Sequence, residues 1–357
     1  MNVLFKANSN KILGSGHFVR CLNLALELKR RKWSVFFVHQ ELNFRHSQLL
    51  EINEIESLLM LDAKDNYETE FNHISEFLIS RHITNLDWIV VDDYNSNANW
   101  DDVAKKYCKY LLVIDDLQSV QRNCDLLLDM NYRSGSFEKD TISKYDYGNV
   151  LIGPEFALLD ELYSPLQENA KNISRDNIKS VFINFGTLDV YSLTLRTVYI
   201  FLEKFTKIVL NVVVQESNSD IQKLKNLELR SADRLRLYIS PDFLGDIMSE
   251  NDFSIGAGGI SLWERFALGL PAIVVSTSDN QSAPLQMLSD DLFVNYLGGA
   301  DEVSDEDLFQ AINNFVDDAS AVKQLRDKII ELCPTDGSKR VADAMQSLSS
   351  SGEMSKN

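Results

Sequence analysis

The tightest constraint on the fold lies at the start of the chain. A short apolar run, Val3–Ala7, meets a polar, glycine-containing loop, Asn8–Gly16. Val19, Leu22, Leu24, Leu26 and Leu28 then alternate with Arg20, Glu27, Lys29 and Arg30, a mixture that predicts an amphipathic helix. Trp33–Val38 (WSVFFV) follows as a β-branched and aromatic run of strand length. A strand, a loop, a helix and a second strand in so short a stretch form the unit of a parallel sheet, because the crossover helix brings the second strand back in the same direction. Similar runs recur at Trp88–Val91, Leu111–Ile114 and Leu126–Leu128, each followed by Asp. Strands of an open α/β sheet end this way where they reach a ligand crevice.

A second series begins after the polar stretch Gln167–Lys179, which reads as a linker. Val181–Phe185 (VFINF), Ile208–Val214 and Leu235–Ile239 are strands, and Phe253–Ile255 runs into the glycine loop Gly256–Gly259. Ser261–Leu268 reads as a helix and Ala272–Ser276 as a further strand. The 357 residues suit two domains at roughly 150 residues each. The expected architecture is α/β, with two Rossmann-like doubly wound domains facing a central cleft. The boundaries are 1–166 for the first domain and 167–346 for the second, with a serine-rich tail, 347–357, expected to be disordered.

The formal net charge of −18 argues against a general nucleic-acid binder, which needs a basic face. No apolar run approaches the roughly 20 residues of a membrane helix, and the start, MNVLFKANSN, lacks the apolar segment of a signal peptide. Cys21, Cys108, Cys124 and Cys333 show neither CxxC pairing nor metal-ligand spacing, so reduced thiols in a cytoplasmic protein are expected. No metal, cofactor or obligate protein partner is implied.

Gly14-Ser15-Gly16-His17 lies between strand and helix, where backbone N–H groups hold phosphate. Val19 stands where a dinucleotide fingerprint asks for a third glycine, and Val38-His39-Gln40 replaces its acidic residue; Gly-Lys-Ser/Thr is also missing. That leaves His17 in the first turn of a helix, a position that favours the neutral imidazole a base requires. The plainer reading is a histidine that caps the helix. Arg20, one turn on, either anchors a phosphate or pairs with an aspartate. Lys6 and Asn8 end the first strand in the same region. His39, His46, His73 and His82 show no ligand spacing.

The second glycine loop, Ile255-Gly256-Ala257-Gly258-Gly259-Ile260-Ser261-Leu262-Trp263-Glu264-Arg265, carries more. Glycines let a backbone approach a diphosphate, and the helix that follows presents free N–H groups to it. Glu264, one turn inside, is placed to accept both hydroxyls of a ribose; the plainer reading is a surface salt bridge. Gly269-Leu270-Pro271 ends the helix, and Asp279-Asn280-Gln281 reads as a loop whose carboxamides suit sugar hydroxyls or acetamido groups.

These blocks, with Val90-Val91-Asp92-Asp93-Tyr94, the run Leu151-Ile152-Gly153-Pro154 through Leu159, and Asp336-Gly337 with Arg340-Val341, resemble one family over residues 3 to 346. It is the UDP-2,4-diacetamido-2,4,6-trideoxy-β-L-altropyranose hydrolase family of pseudaminic acid biosynthesis, with its related spore-coat polysaccharide proteins. The resemblance implies a GT-B fold similar to that of the enzyme adding N-acetylglucosamine to the lipid-linked peptidoglycan precursor. It implies metal-independent release of UDP from an anomeric carbon by water, with His17 as the base. Gly256, Gly258, Gly259 and Ser261 would lie near the diphosphate, Glu264 on the ribose, and Asn280 and Gln281 toward the sugar. Gly14, Gly16, Arg20, Asp93, Tyr94 and Gly186 complete the implied substrate contacts. Two departures stand out. Lys6-Ala7-Asn8 replaces Arg-x-Asp, and Gly186-Thr187-Leu188-Asp189 lacks the family's second glycine.

The resulting expectation is a nucleotide-sugar hydrolase acting on a UDP-linked diacetamido-trideoxy sugar. A GT-B glycosyltransferase with a saccharide acceptor is the alternative. A binding or scaffolding protein that kept the fold and lost turnover is a third reading, because one fold serves all three.

Overall fold

A computed structural model describes residues 1–9, 16–60, 66–117, 121–134, 149–173, 177–186 and 189–354. The chain divides into two units, Met1–Leu159 with Asp336–Asn357, and Asp160–Thr335.

In the first unit, β1 (Asn2–Ala7), β2 (Ser34–His39), β3 (Glu56–Leu59), β4 (Leu86–Asp92), β5 (Cys108–Ile114), β6 (Leu126–Asp129) and β7 (Val150–Ile152) form one sheet. Its order is β3-β2-β1-β4-β5-β6-β7, and the pairings are parallel. Helices α1 (Gly16–Arg30), α2 (Phe44–Ile52), α3 (Tyr67–Ile79) and α4 (Ala98–Ala104) connect its strands. The middles of the central strands are continuous apolar runs because both faces are covered: Leu4, Val38, Ile89, Val91, Leu111 and Val113 pack in one core. The direction of winding reverses between β1 and β4, so the ends of these two strands frame the place where such sheets bind ligands.

The second unit begins with α5 (Tyr163–Asn172) and continues through β8 (Ser180–Asn184), α6 (Leu193–Lys204), β9 (Val209–Val214), α7 (Ile221–Arg230) and β10 (Leu235–Ile239). After α8 (Gly245–Ser249) come β11 (Phe253–Ala257), α9 (Ser261–Ala267), β12 (Ala272–Ser276), α10 (Asp279–Asp290) and β13 (Asn295–Gly299), then α11 (Asp305–Asp317) and α12 (Ala319–Leu332). The sheet order is β10-β9-β8-β11-β12-β13, with its reversal between β8 and β11. Val181, Ile183, Leu210, Val212, Ile255 and Ile273 fill its core.

Three expectations change. Residues expected in a linker lie partly in α5, where Gln167 is buried and its Nε2 donates to the Ala267 and Cys333 carbonyls at 2.8 and 3.0 Å. Of the tail 347–357 expected to be disordered, residues 347–354 belong to α13 (Gly337–Met354), which packs on the first unit, and 355–357 lie outside the described residues. Val341, Ala342 and Met345 are fully buried, the Trp88 indole N–H donates to Ser349 at 2.9 Å, and the hydroxyls of Ser347, Ser349, Ser350 and Ser351 bond carbonyls four residues back. The serines thus satisfy themselves on the helix. Asp279-Asn280-Gln281 forms the first turn of α10 and not a loop.

Candidate functional site

At the end of β1, Ala7 pairs with Asp92 on β4, and α1 presents His17 and Arg20 toward that strand end. The His17 Nδ1 lies 2.7 Å from Asp92 Oδ1. Arg20 grips the same carboxylate with two donors, Nε to Oδ2 at 2.5 Å and Nη2 to Oδ1 at 2.6 Å. Burial pushes the Asp92 carboxyl up, but Arg20 and then His17 more than offset this and hold it well below the usual carboxylate range. An anion at 2.7 Å requires Nδ1 to carry its proton. The lone pair is then on Nε2, the arrangement of a base oriented by a carboxylate. The 3.2 Å approach of Arg20 Nη2 to Nδ1 follows from both groups holding one oxygen.

Arg20 also donates Nη1 to Asp116 Oδ2 at 2.9 Å, and the Tyr94 hydroxyl donates to Asp116 Oδ1 at 2.9 Å. Burial and then Asp116 push the Tyr94 phenol up, so it remains a donor. Its ring stands at 90° to the His17 ring, 4.5 Å between centroids. Asn8, His17, Asp92, Asp93 and Tyr94 line one concavity. Asp93 faces Lys6 Nζ at 3.3 Å, and Lys6 in turn meets Glu70 at 3.0 Å. The structure therefore joins His17, Arg20 and Tyr94 through two carboxylates, Asp92 and Asp116, that were not among the expected site residues. Arg20 is spent on them. Gly16 opens α1, whereas Gly14 lies outside the described residues.

In the second unit, the glycine loop leaves β11. A Cβ at Gly256 would fall 1.9 Å from the Asn184 carbonyl, so this glycine is demanded by the neighbouring strand β8. A Cβ at Gly258 would meet Leu285 at 2.5 Å, while at Gly259 the nearest atom is Gln281 Nε2 at 3.8 Å. Gln281 Oε1 accepts from the Thr277 N–H at 3.0 Å, and Asn280 Oδ1 from the Ser278 hydroxyl at 2.6 Å. Ser261 opens α9 and Glu264 lies in its first turn. Burial pushes the Glu264 carboxyl up to about 7, against the Tyr163 hydroxyl beside it. Gly186 follows β8 with φ of 81°, a conformation suited to glycine; Thr187 and Leu188 lie outside the described residues. Asp189 caps α6, accepting the Leu193 and Thr194 N–H groups at 2.7 and 2.8 Å. Among the described residues no cluster of three or more His, Cys, Asp or Glu could hold a metal ion, and no helix is long and apolar enough to cross a membrane.

No family model matches the chain. An uncharacterized protein, MJ1062, of Methanocaldococcus jannaschii is 24% identical over 289 residues, 79% of this chain and 57% of that protein; the chain thus spans less than two thirds of this relative. Among solved structures, MurG of Acinetobacter baumannii superposes with a TM-score of 0.66 at 14% identity, over 97% of this chain and 99% of that one. The UDP-GlcNAc 2-epimerase of Neisseria meningitidis bound to UDP-GlcNAc gives 0.64 at 12%, over 97% and 100%. A UDP-glucosyltransferase of Polygonum tinctorium gives 0.67 at 12%, over 98% of each chain. Two Rossmann-like α/β units with parallel sheets, matched over nearly their whole length by such structures, make this a GT-B fold.

Proposed function

We propose that this chain is an enzyme of UDP-linked sugars, displacing UDP from the anomeric carbon with His17 as the general base. The observation that carries the reading is the His17–Asp92 contact of 2.7 Å inside the Arg20 clamp. A carboxylate held ionised fixes the imidazole with Nε2 as acceptor, which is the need of a reaction in which a hydroxyl loses its proton while attacking carbon. The new C–O bond forms at the anomeric carbon, the bond to the diphosphate oxygen breaks, and UDP leaves with the electron pair. In this reading the second unit binds UDP. The amides of the Gly256–Gly259 loop take up diphosphate charge and Glu264 accepts the ribose hydroxyls.

Two incoming hydroxyls fit. A saccharide hydroxyl makes the chain a glycosyltransferase, and the name of the Polygonum neighbour favours this form. Water makes it a hydrolase, and the motif resemblance favours that form, with a diacetamido-trideoxy sugar as substrate. Release of UDP from a panel of UDP-sugars, with and without saccharide acceptors, tests both. Release in water alone supports the hydrolase; release only with acceptor supports the transferase. UDP binding with no turnover under any of these conditions would leave a binding protein and remove His17 as a base.

A further inference from the structure

Arg265 is 1% exposed and among the largest fully buried side chains, yet among the described residues no carboxylate forms an ion pair with it. Its Nη2 donates to the Ala257 carbonyl and its Nε to the Ser261 carbonyl at 3.1 Å. Its Nη1 is buried without a hydrogen-bond partner, 3.5 Å from the point where a Gly256 Cβ would lie. Burial pushes the guanidinium down to about 10, with Glu264 opposing. A buried cation that spends its donors on neutral carbonyls is costly, and a buried N–H left over requires an explanation.

The position supplies one. Ala257 and Ser261 bracket Gly258, Gly259 and Ile260, so Arg265 holds the glycine loop from beneath at both ends. In a trans peptide the C=O of one residue and the N–H of the next point in opposite directions. Drawing the Ala257 carbonyl inward therefore turns the Gly258 N–H the opposite way, and the next residue, Gly259, has no atom nearer than 3.8 Å to where its Cβ would lie, which leaves the loop backbone there open to a ligand. The positive charge beneath the loop is incompletely compensated until an anion lies above it, and the low dielectric around the side chain lets that charge act through the loop.

We propose that Arg265 is the positioning residue of the diphosphate subsite, orienting the glycine-loop amides and supplying the buried charge that a nucleoside diphosphate completes. This rests on the reading of the chain as a UDP-binding enzyme. It concerns the diphosphate alone, so the test compares UDP with uridine by calorimetry in wild type, Arg265→Lys and Arg265→Met, with circular dichroism and thermal melts to establish folding. Lysine keeps the charge and loses the two-carbonyl fork; methionine loses both. Wild type should prefer UDP, and Arg265→Met should cut that preference by about tenfold or more, the effect of losing a charge-assisted contact. Uridine affinity should change less than about twofold, and Arg265→Lys should fall between. Should Arg265→Met not fold, the lysine variant carries the comparison. Inorganic pyrophosphate should also raise the melting temperature of the wild type. A folded Arg265→Lys with an unchanged UDP-to-uridine ratio, or a wild type blind to pyrophosphate, overturns the proposal. Wild type that binds neither UDP nor uridine instead removes the nucleotide reading itself.

Discussion

Replacing Asp92 by asparagine keeps the shape of the side chain and removes its charge. Asp92 is 1% exposed and accepts from Arg20 twice and from His17 once, all within 2.7 Å. An amide offers one oxygen where the carboxylate offers two, so an N–H would face either the guanidinium or the imidazole. Breaking a buried pair by removing one partner costs about 3–5 kcal/mol. Asp116 still holds Arg20 Nη1 at 2.9 Å, which places the expected loss near the lower end, about 3 kcal/mol. For a unit of this size that lowers the melting temperature by about 6–12 °C. The pH dependence fixes the sign. The Asp92 carboxyl lies below its ordinary range in the folded state, so its stabilisation is complete above the unfolded pKa of about 4 and is lost as pH falls toward the folded value. Melts of both proteins from neutral pH into acid should show a gap that closes below about pH 4. Equal melting temperatures at neutral pH, or a gap that widens in acid, would refute the assignment of Asp92 as the ionised centre of the cluster. Turnover should also fall, by about 10⁴ if the carboxylate fixes the imidazole tautomer as it does in serine proteases.

His17→Asn should lower UDP release by about 10²–10⁴, the usual worth of a general base, while UDP affinity measured by calorimetry stays close to wild type. Near-normal release would exclude the imidazole as the base. If the ionised Glu264 accepts the ribose hydroxyls, UDP affinity should weaken as pH drops from 8 to 6, because burial brings that carboxyl to about 7. Glu264→Gln should bind more weakly and show little of this slope, and an equal slope in both proteins would place the titrating group elsewhere. Gly258→Ala should cost about 1–3 kcal/mol, since its Cβ would meet Leu285 at 2.5 Å and Leu285 is buried; denaturant unfolding measures it, and a neutral substitution would show that the loop yields.

The strands that the sequence makes legible are those buried on both faces. WSVFFV and VFINF read as strands because, Ser34 apart, all their residues are buried. The edges are harder to read: β3 exposes Glu56, Ser57 and Leu59, β13 carries two glycines in five residues, and β7 has three residues. Each offers too little apolar pattern for a periodicity to register. In the site, His17 stands out through its glycine neighbours, and the tie between Arg20 and an aspartate is a foreseeable outcome of helix geometry. Which aspartates serve is a matter of register. They lie 72 and 96 residues further along the chain and meet Arg20 only because β4 and β5 lie on one side of β1. The serine-rich end misleads for another reason: composition measures what a segment exposes on average, and it is blind to a tryptophan 261 residues away that needs a hydroxyl.

The same physics explains why the chain's two key carboxylates have opposite characters. Asp92 on β4 lies beside Arg20 of α1, Glu264 is followed by Arg265 on α9 itself, and burial pushes both carboxyls toward the neutral form. Arg20 turns three donors on carboxylates, so at Asp92 attraction outweighs desolvation and the anion is permanent. Arg265 gives its donors to the Ala257 and Ser261 carbonyls; its charge reaches Glu264 only through space, and desolvation wins. A permanent anion suits a partner that must hold an imidazole in one tautomer at every step. A carboxylate poised near neutrality suits a group whose hydrogen bonds are completed by a ligand, since arriving hydroxyls replace the solvation that burial removed. Under the proposed function, the orientation of two arginines, one toward side-chain oxygens and one toward backbone, separates a carboxylate that would organise chemistry from one that would respond to binding.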